Sequence, residues 1–187
     1  MKVQQLIKET RSIRRFHAQK AISTEKLYKM VDSARCSASA GNLHRIRYIL
    51  INDEKKSAEI FETLAFAAYL KGWRPNEEER PAAYIVMLSP TEKIDTGFAV
   101  DMGIAAQSIL LTAKEEGIGG CIVMSFKKQA IERILCVDGY NVAMVIALGE
   151  PSETVRLTQA NAGEIKYYRN EQDEHIVPKL SLDEIIL

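Results

Sequence analysis

Six residues near the start of the chain, Arg11-Ser12-Ile13-Arg14-Arg15-Phe16, set three guanidiniums and a hydroxyl just ahead of an aromatic ring. A guanidinium is permanently charged and forks onto phosphate or carboxylate, so this composition suits a bound anion. It equally suits a solvated basic turn paired with neighbouring acids, and the segment alone leaves both readings open. One predicted helix further on, Ala38-Ser39-Ala40-Gly41-Asn42 carries almost no side-chain bulk. Backbone of that kind can approach a flat ligand closely, although Ser, Gly and Asn are also ordinary loop formers.

Other chemistries find little support. Gly117-Ile118-Gly119-Gly120 follows a predicted helix rather than a strand, and the third glycine of a dinucleotide fingerprint would fall on Ile122. No phosphate-binding P-loop occurs. His17, His44 and His175 lie far apart without metal-ligand spacing, so each reads as a surface or hydrogen-bonding histidine. Ser39 lacks the G-x-S-x-G context of a hydrolase nucleophile. Cys36, Cys121 and Cys136 form an odd set with no C-x-x-C pair, which reads as small buried hydrophobes in a reducing compartment. What remains is chemistry carried by a bound cofactor.

Composition narrows the partners. Lys plus Arg equals Asp plus Glu at 25 each, so no net field draws the molecule to nucleic acid or to an anionic membrane. The 187 residues suit one domain with a substantial core. The first residues lack the apolar stretch of a signal peptide, and no run reads as a membrane span, so the expected location is cytoplasmic.

Periodicity supplies the elements that must position these residues. Val3 to Lys8 reads as a short amphipathic packing helix, and Ser23 or Thr24 caps a helix with Leu27, Met30, Val31 and Ala34 on one face. Arg47 to Asn52 reads as a strand, Lys55 to Tyr69 as a helix, and 71–80 as a mobile loop around Trp73, whose ring is a partly buried anchor or a lid. Ala82 to Leu88 is an internal strand, Phe98 to Glu116 a buried helix closed by Gly117, Cys121 to Met124 a strand, Lys127 to Leu135 a helix, and Val142 to Leu148 a strand. Beyond Pro151 the chain is polar and weakly periodic, as expected of a segment that lies along another surface.

Taken together, these segments resemble the FMN-dependent nitroreductase family, within its small nitroreductase-like subgroup. Arg11, Ser12 and Arg14 match the family's Arg-Ser-x-Arg motif, which implies contacts to the FMN phosphate and to the pyrimidine side of the flavin. Ala38, Ser39, Ala40 and Asn42 match its Pro-Ser-x-x-Asn loop, with Ala38 for proline and His44-Arg45-Ile46 where Gln-Pro-Trp is common. Asp101-Met102-Gly103 through Leu111 match its core helix, and Val123, Met124 and Ser125 fall where the backbone meets flavin N5. Lys179 falls where a late base reaches the phosphate, although Leu180 replaces a second one.

The resemblance implies an α+β fold, a three-layer α/β/α sandwich with a mixed, mainly antiparallel sheet. It implies one FMN-binding domain over 1–187, with 152–187 as a C-terminal arm exchanged in a homodimer. The implied function is ping-pong hydride transfer from NADH or NADPH through FMN to a small organic acceptor such as a nitroaromatic or quinone, with no catalytic side chain. Two other readings stay open. A flavin-binding or storage protein would show no steady-state oxidation of NADH or NADPH. A basic interaction module using Arg11, Arg14 and Arg15 would bind oligonucleotide with a steep salt dependence, and zero net charge counts against it.

Overall fold

The two strongest apolar runs form the centre of the sheet. The computed structural model describes residues 2–70, 72–160 and 163–187, so Met1, Lys71 of the expected 71–80 loop, and Asn161 and Ala162 of the C-terminal segment lie outside the described residues. Strands β1 (Arg47–Ile51), β2 (Ala83–Ser89), β3 (Gly119–Val123) and β4 (Asn141–Gly149) pair in the order β1-β2-β4-β3, every neighbour antiparallel. Every residue of β2 is buried. Such a strand reads as a continuous apolar run because both of its faces are covered.

Alternate residues on the central strands face opposite layers. Ile85, Met87, Ile146 and Leu148 pack with residues of α2 (Thr24–Arg35) and α4 (Thr96–Glu115). Tyr84, Val86, Val145 and Ala147 pack with residues of α3 (Glu54–Phe61) and α5 (Lys128–Ile134). The result is three layers, helix on sheet on helix. Ser23 caps α2 by accepting from Lys26 N–H, and Gly117, at φ 75°, follows α4 in the left-handed conformation that suits glycine. By length and composition α4 would suit a membrane span, contrary to the sequence reading, but Met102, Ala106, Ile109 and Ala113 are buried in the core.

Three other expectations are corrected. Helix α3 stops at Phe61 instead of running to Tyr69, because the next backbone groups bond elsewhere: Ala65 N–H donates to Ser125 O at 2.9 Å and Lys127 N–H to Thr63 O at 2.9 Å. Leu64, which continued the helical spacing of Ile60 and Phe61, is buried in an irregular turn instead, with Phe66 buried beside it. Helix α1 (Val3–Glu9) lies beside α4 but buries none of its residues, and Val3 and Ile7 are exposed. Of the cysteines, only Cys121 is buried.

The segment after Pro151 forms a small second sheet. Strands β5 (Val155–Gln159), β6 (Tyr168–Arg169) and β7 (His175–Lys179) run in the order β5-β7-β6, with β5 and β7 parallel and β6 and β7 antiparallel. Its start is fixed where Ser152 N–H donates to Arg15 O at 3.0 Å. Close approach governs the end of β4: a Cβ on Gly149 would lie 2.7 Å from the Phe16 ring, and Phe16 is fully buried. Gly149→Ala therefore lowers stability by about 1–3 kcal/mol, the range for overpacking a core, read from the midpoint of urea unfolding.

Candidate functional site

The arginine-rich segment is held in place by its apolar members. Residues 11–17 run extended past the end of the β3–β4 pair, where Ile13 N–H donates to Gly120 O and His17 N–H to Glu150 O, both at 2.9 Å. Ile13 and Phe16 are buried, which leaves the polar positions between them to face elsewhere. The three guanidiniums then separate. Arg11 donates to Ile7 O at 2.7 Å, and burial lowers its pKa. Arg15 pairs with Asp173 and lies 3.5 Å from Glu79, with its guanidinium 5.7 Å from the Trp73 ring. Arg14 alone reaches a cavity.

That cavity measures about 250 Å³ and is lined by Arg14, Tyr167, the turn at 65–68 and residues 121–125. It brings together four of the expected site residues, Arg14, Val123, Met124 and Ser125. Ser12 is exposed and bridges to Gly120 beside it. The Met124 side chain is 58% exposed at the mouth. The Arg14 guanidinium lies 4.7 Å from the centre of the Tyr167 ring, and that ring stands 4.9 Å from Tyr69 and 5.1 Å from His175. A cation over an aromatic face, with further rings behind it, makes one wall rigid and flat.

Behind Arg14 lies a polar network from the second sheet. The Glu153 side chain is 2% exposed and accepts from the N–H groups of Arg14 and Arg15 and from Arg169 Nη2. Arg14 Nη1 donates to His175 Nε2 at 3.1 Å, and His175 is buried. Burial, with the Arg14 charge beside it, pushes the His175 pKa from 6.5 down to about 4, against a smaller opposing effect of Glu153. The folded chain therefore holds His175 neutral where the unfolded chain would protonate it. Stability is retained above pH 6.5 and falls as pH drops from there toward 4, by up to about 1.4 kcal/mol per pH unit. Thermal midpoints from pH 7 to 5 check this: the slope flattens in His175→Phe, and an equal slope in that variant would remove His175 as its source.

The small-residue loop lines a different cavity. Ala38 and Ser39, with Arg45, Tyr48 and Asp101, border a space of about 170 Å³ that shares no residue with the first. The loop backbone turns left-handed at Gly41, Asn42 and His44, with φ of 58°, 55° and 47°, which glycine adopts freely and the other two hold under strain. Asp101, 3% exposed on α4, holds it by accepting from Ala40 N–H at 2.8 Å. Arg45, which forks onto Asp95 and holds that carboxyl down to about 2, braces the other side. The Ser39 Oγ and one Asp101 carboxylate oxygen are buried without a hydrogen-bond partner. Asp101→Ala should cost about 1–2 kcal/mol and loosen the loop, seen as faster amide exchange at 40–44 with α2 protection unchanged.

Lys179 is exposed at the far end of β7, four residues beyond His175, or about 13 Å along the strand, and does not line either cavity. Trp73 is half-buried, with the Arg169 guanidinium 5.3 Å from its ring, and so anchors its loop to the second sheet. Sequence reasoning missed Glu153, Tyr167 and His175 as site residues. Glu153 carried no signal in a polar tail, and the nearest to a signal was His175, which opens the short apolar run Ile176-Val177.

The family comparison agrees with this architecture. The Nitroreductase family model matches residues 7–150. A Methanothermobacter thermautotrophicus protein, named provisionally as an NADH dehydrogenase/NAD(P)H nitroreductase, is 30% identical over 159 residues, covering 82% of this chain and 79% of that one. The FMN-dependent nitroreductase of Clostridium difficile R20291 superposes with a TM-score of 0.65 at 25% identity, over 84% of this chain and 91% of that one. A nitroreductase family protein of Streptococcus pneumoniae TIGR4 has the same fold end to end, with a TM-score of 0.73 at 16% identity over 100% and 99% of the two chains. An antiparallel sheet between two helical layers, the Arg14 cavity at its edge and the match over most of the chain lead to one assignment: this chain belongs to the nitroreductase family.

Proposed function

We propose that the chain is an FMN-dependent NAD(P)H oxidoreductase that reduces small organic acceptors, nitroaromatics or quinones, as a cytoplasmic homodimer. The observation that carries this reading is the Arg14 cavity, where a guanidinium, a flat aromatic wall and the exposed strand end at 122–125 converge. These residues fit a flavin ring. Arg14 can donate to its pyrimidine oxygens, the backbone N–H groups of Met124 and Ser125, just past the end of β3, can serve its N5 side, and the Ala-rich turn at 65–68 leaves room for a plane. When bound, FMN would take a hydride from NADH or NADPH and pass the electrons to the acceptor.

Three features support the homodimer. At about 250 Å³ the first cavity is smaller than the roughly 300–1,000 Å³ of usual ligand pockets. The strained loop with its unpartnered Ser39 Oγ sits at a second cavity, as expected of a half-site completed by another copy. In addition, α4 leaves Val100 and Ile104 exposed along one face. In that assembly Ala38, Ser39, Ala40 and Asn42 of one protomer meet the flavin held by its partner. Arg11 takes the phosphate together with Lys179 of the other protomer: the arm at 152–187 reaches across with its exposed end, while its Glu153, Tyr167 and His175 stay on Arg14 of their own chain. The nucleic-acid reading loses ground, since Arg15 is engaged by Asp173 and Glu79 and Arg11 by its own helix.

The test is the absorption spectrum of the purified protein, with FMN titration if it is colourless. A flavin spectrum that bleaches anaerobically with NADH or NADPH and recovers with a nitroaromatic or quinone is expected. Absence of saturable FMN binding to folded protein would overturn the proposal, and bleaching without recovery would reduce it to flavin binding.

A further inference from the structure

We propose that His175 is a positioning residue for Arg14: as a neutral acceptor it fixes the guanidinium at the cavity wall without cancelling its charge. The inference rests on the flavin-site reading above and concerns why a buried histidine from the C-terminal sheet should sit behind that arginine.

Arginine has five donors and no acceptor, so the His175 Nε2 that lies 3.1 Å from Arg14 Nη1 must present a lone pair. The ring proton is then on Nδ1, which is buried with no partner. A histidine kept only for packing would satisfy both nitrogens or be replaced by an apolar ring, because an unpartnered buried donor is costly. The retained bond is the one to Arg14.

Charge explains why the partner is an imidazole. Arg15 and Arg169 are both ion-paired, and no ion pair engages Arg14 among the described residues. The nearby carboxylate, Glu153, accepts the Arg14 backbone N–H, while its other oxygen is taken by Arg169. A carboxylate at position 175 would neutralise the guanidinium and leave little attraction for a ligand anion. Neutral imidazole supplies direction and leaves the charge available. The Tyr167 ring, 4.7 Å from the guanidinium and 5.1 Å from the imidazole, confines both. The groups facing His175 are Arg14 and Arg15 from the N-terminal segment, Glu153 ahead of β5, and Tyr167 and Arg169 at β6. Three cations against one carboxylate also favour the neutral ring.

Two measurements test this. Nitrogen NMR of the full-length chain without ligand at pH 7 should show His175 neutral with the proton on Nδ1; an Nε2–H tautomer or an imidazolium would overturn the proposal. A double-mutant cycle on FMN affinity is the second. His175→Phe should weaken binding roughly 10-fold, about one hydrogen bond to a charged group, while His175→Gln, which keeps an acceptor, restores most of it. In an Arg14→Ala background His175→Phe should change nothing further. Additive losses would overturn positioning while leaving the flavin site intact. Undiminished FMN affinity in Arg14→Ala alone would instead sink the site reading. Should His175→Phe fail to fold, the tautomer measurement still decides.

Discussion

Replacing Arg11 and Arg14 together by Ala is expected to weaken FMN binding by about 3–6 kcal/mol, since each charge-assisted hydrogen bond contributes roughly 1.5–3 kcal/mol. The fold should survive. Neither guanidinium supports the core, because the segment is anchored by Ile13 and Phe16 and by backbone bonds to Gly120 and Glu150. The two single variants should differ in kind. Arg14 lines the cavity, so Arg14→Ala should disturb the flavin spectrum as well as the affinity. Arg11 lies outside that lining, so Arg11→Ala should lower affinity for FMN and leave riboflavin, which lacks the phosphate, bound as before. Titration of both ligands by fluorescence measures this. Unchanged FMN affinity in a folded double variant would remove the arginine segment from the site.

Removal of the Glu153 carboxylate is expected to be the most damaging single change to stability. Glu153→Ala leaves the Arg169 side chain, only 12% exposed, with Asp173 at 3.6 Å as its remaining carboxylate and strips the acceptor from two backbone N–H groups. Breaking a buried pair by removing one member costs about 3–5 kcal/mol, a large fraction of the roughly 5–15 kcal/mol that holds a domain together. Glu153→Gln keeps an acceptor for one side of the network and should lose less. Because Glu153 ties the second sheet to the arginine segment, its loss should also free 163–179 to exchange amide hydrogens while β2 and β4 stay protected. A loss under about 1 kcal/mol in urea unfolding of Glu153→Ala would mean that the network does not form in solution, since that is the scale of an exposed pair.

Much of the fold was legible in the chain because hydrophobic patterning is a local signal. Ala82 to Leu88 could be read as an internal strand and Val142 to Leu148 as a strand from their unbroken apolar runs, and the α2 face from Leu27, Met30 and Ala34. The failures have two causes. Helix α3 carried helical spacing through Leu64, yet Ser125 O accepts from Ala65 N–H and Lys127 N–H donates to Thr63 O, and these tertiary bonds overrode the local preference. Cys36 and Cys136 lie on the surface, where residue type is a poor guide to burial.

By itself the sequence determined a balanced composition without net charge, the helix and strand cores, the absence of common metal, hydrolase and dinucleotide motifs, and an arginine cluster followed by a small-residue loop that pointed to the family. Only the tertiary structure decided which arginine does what. Arg11, Arg14 and Arg15 are alike in composition, but one bonds its own helix, one meets the cavity and one is ion-paired. The partners that separate them stand far off in the chain, Glu153 by 139 positions from Arg14 and His175 by 161. Apolar periodicity reports how each segment meets the core. It carries no information about which polar groups two distant segments bring within 3 Å of one another, because a hydrogen bond depends on the placement of both partners.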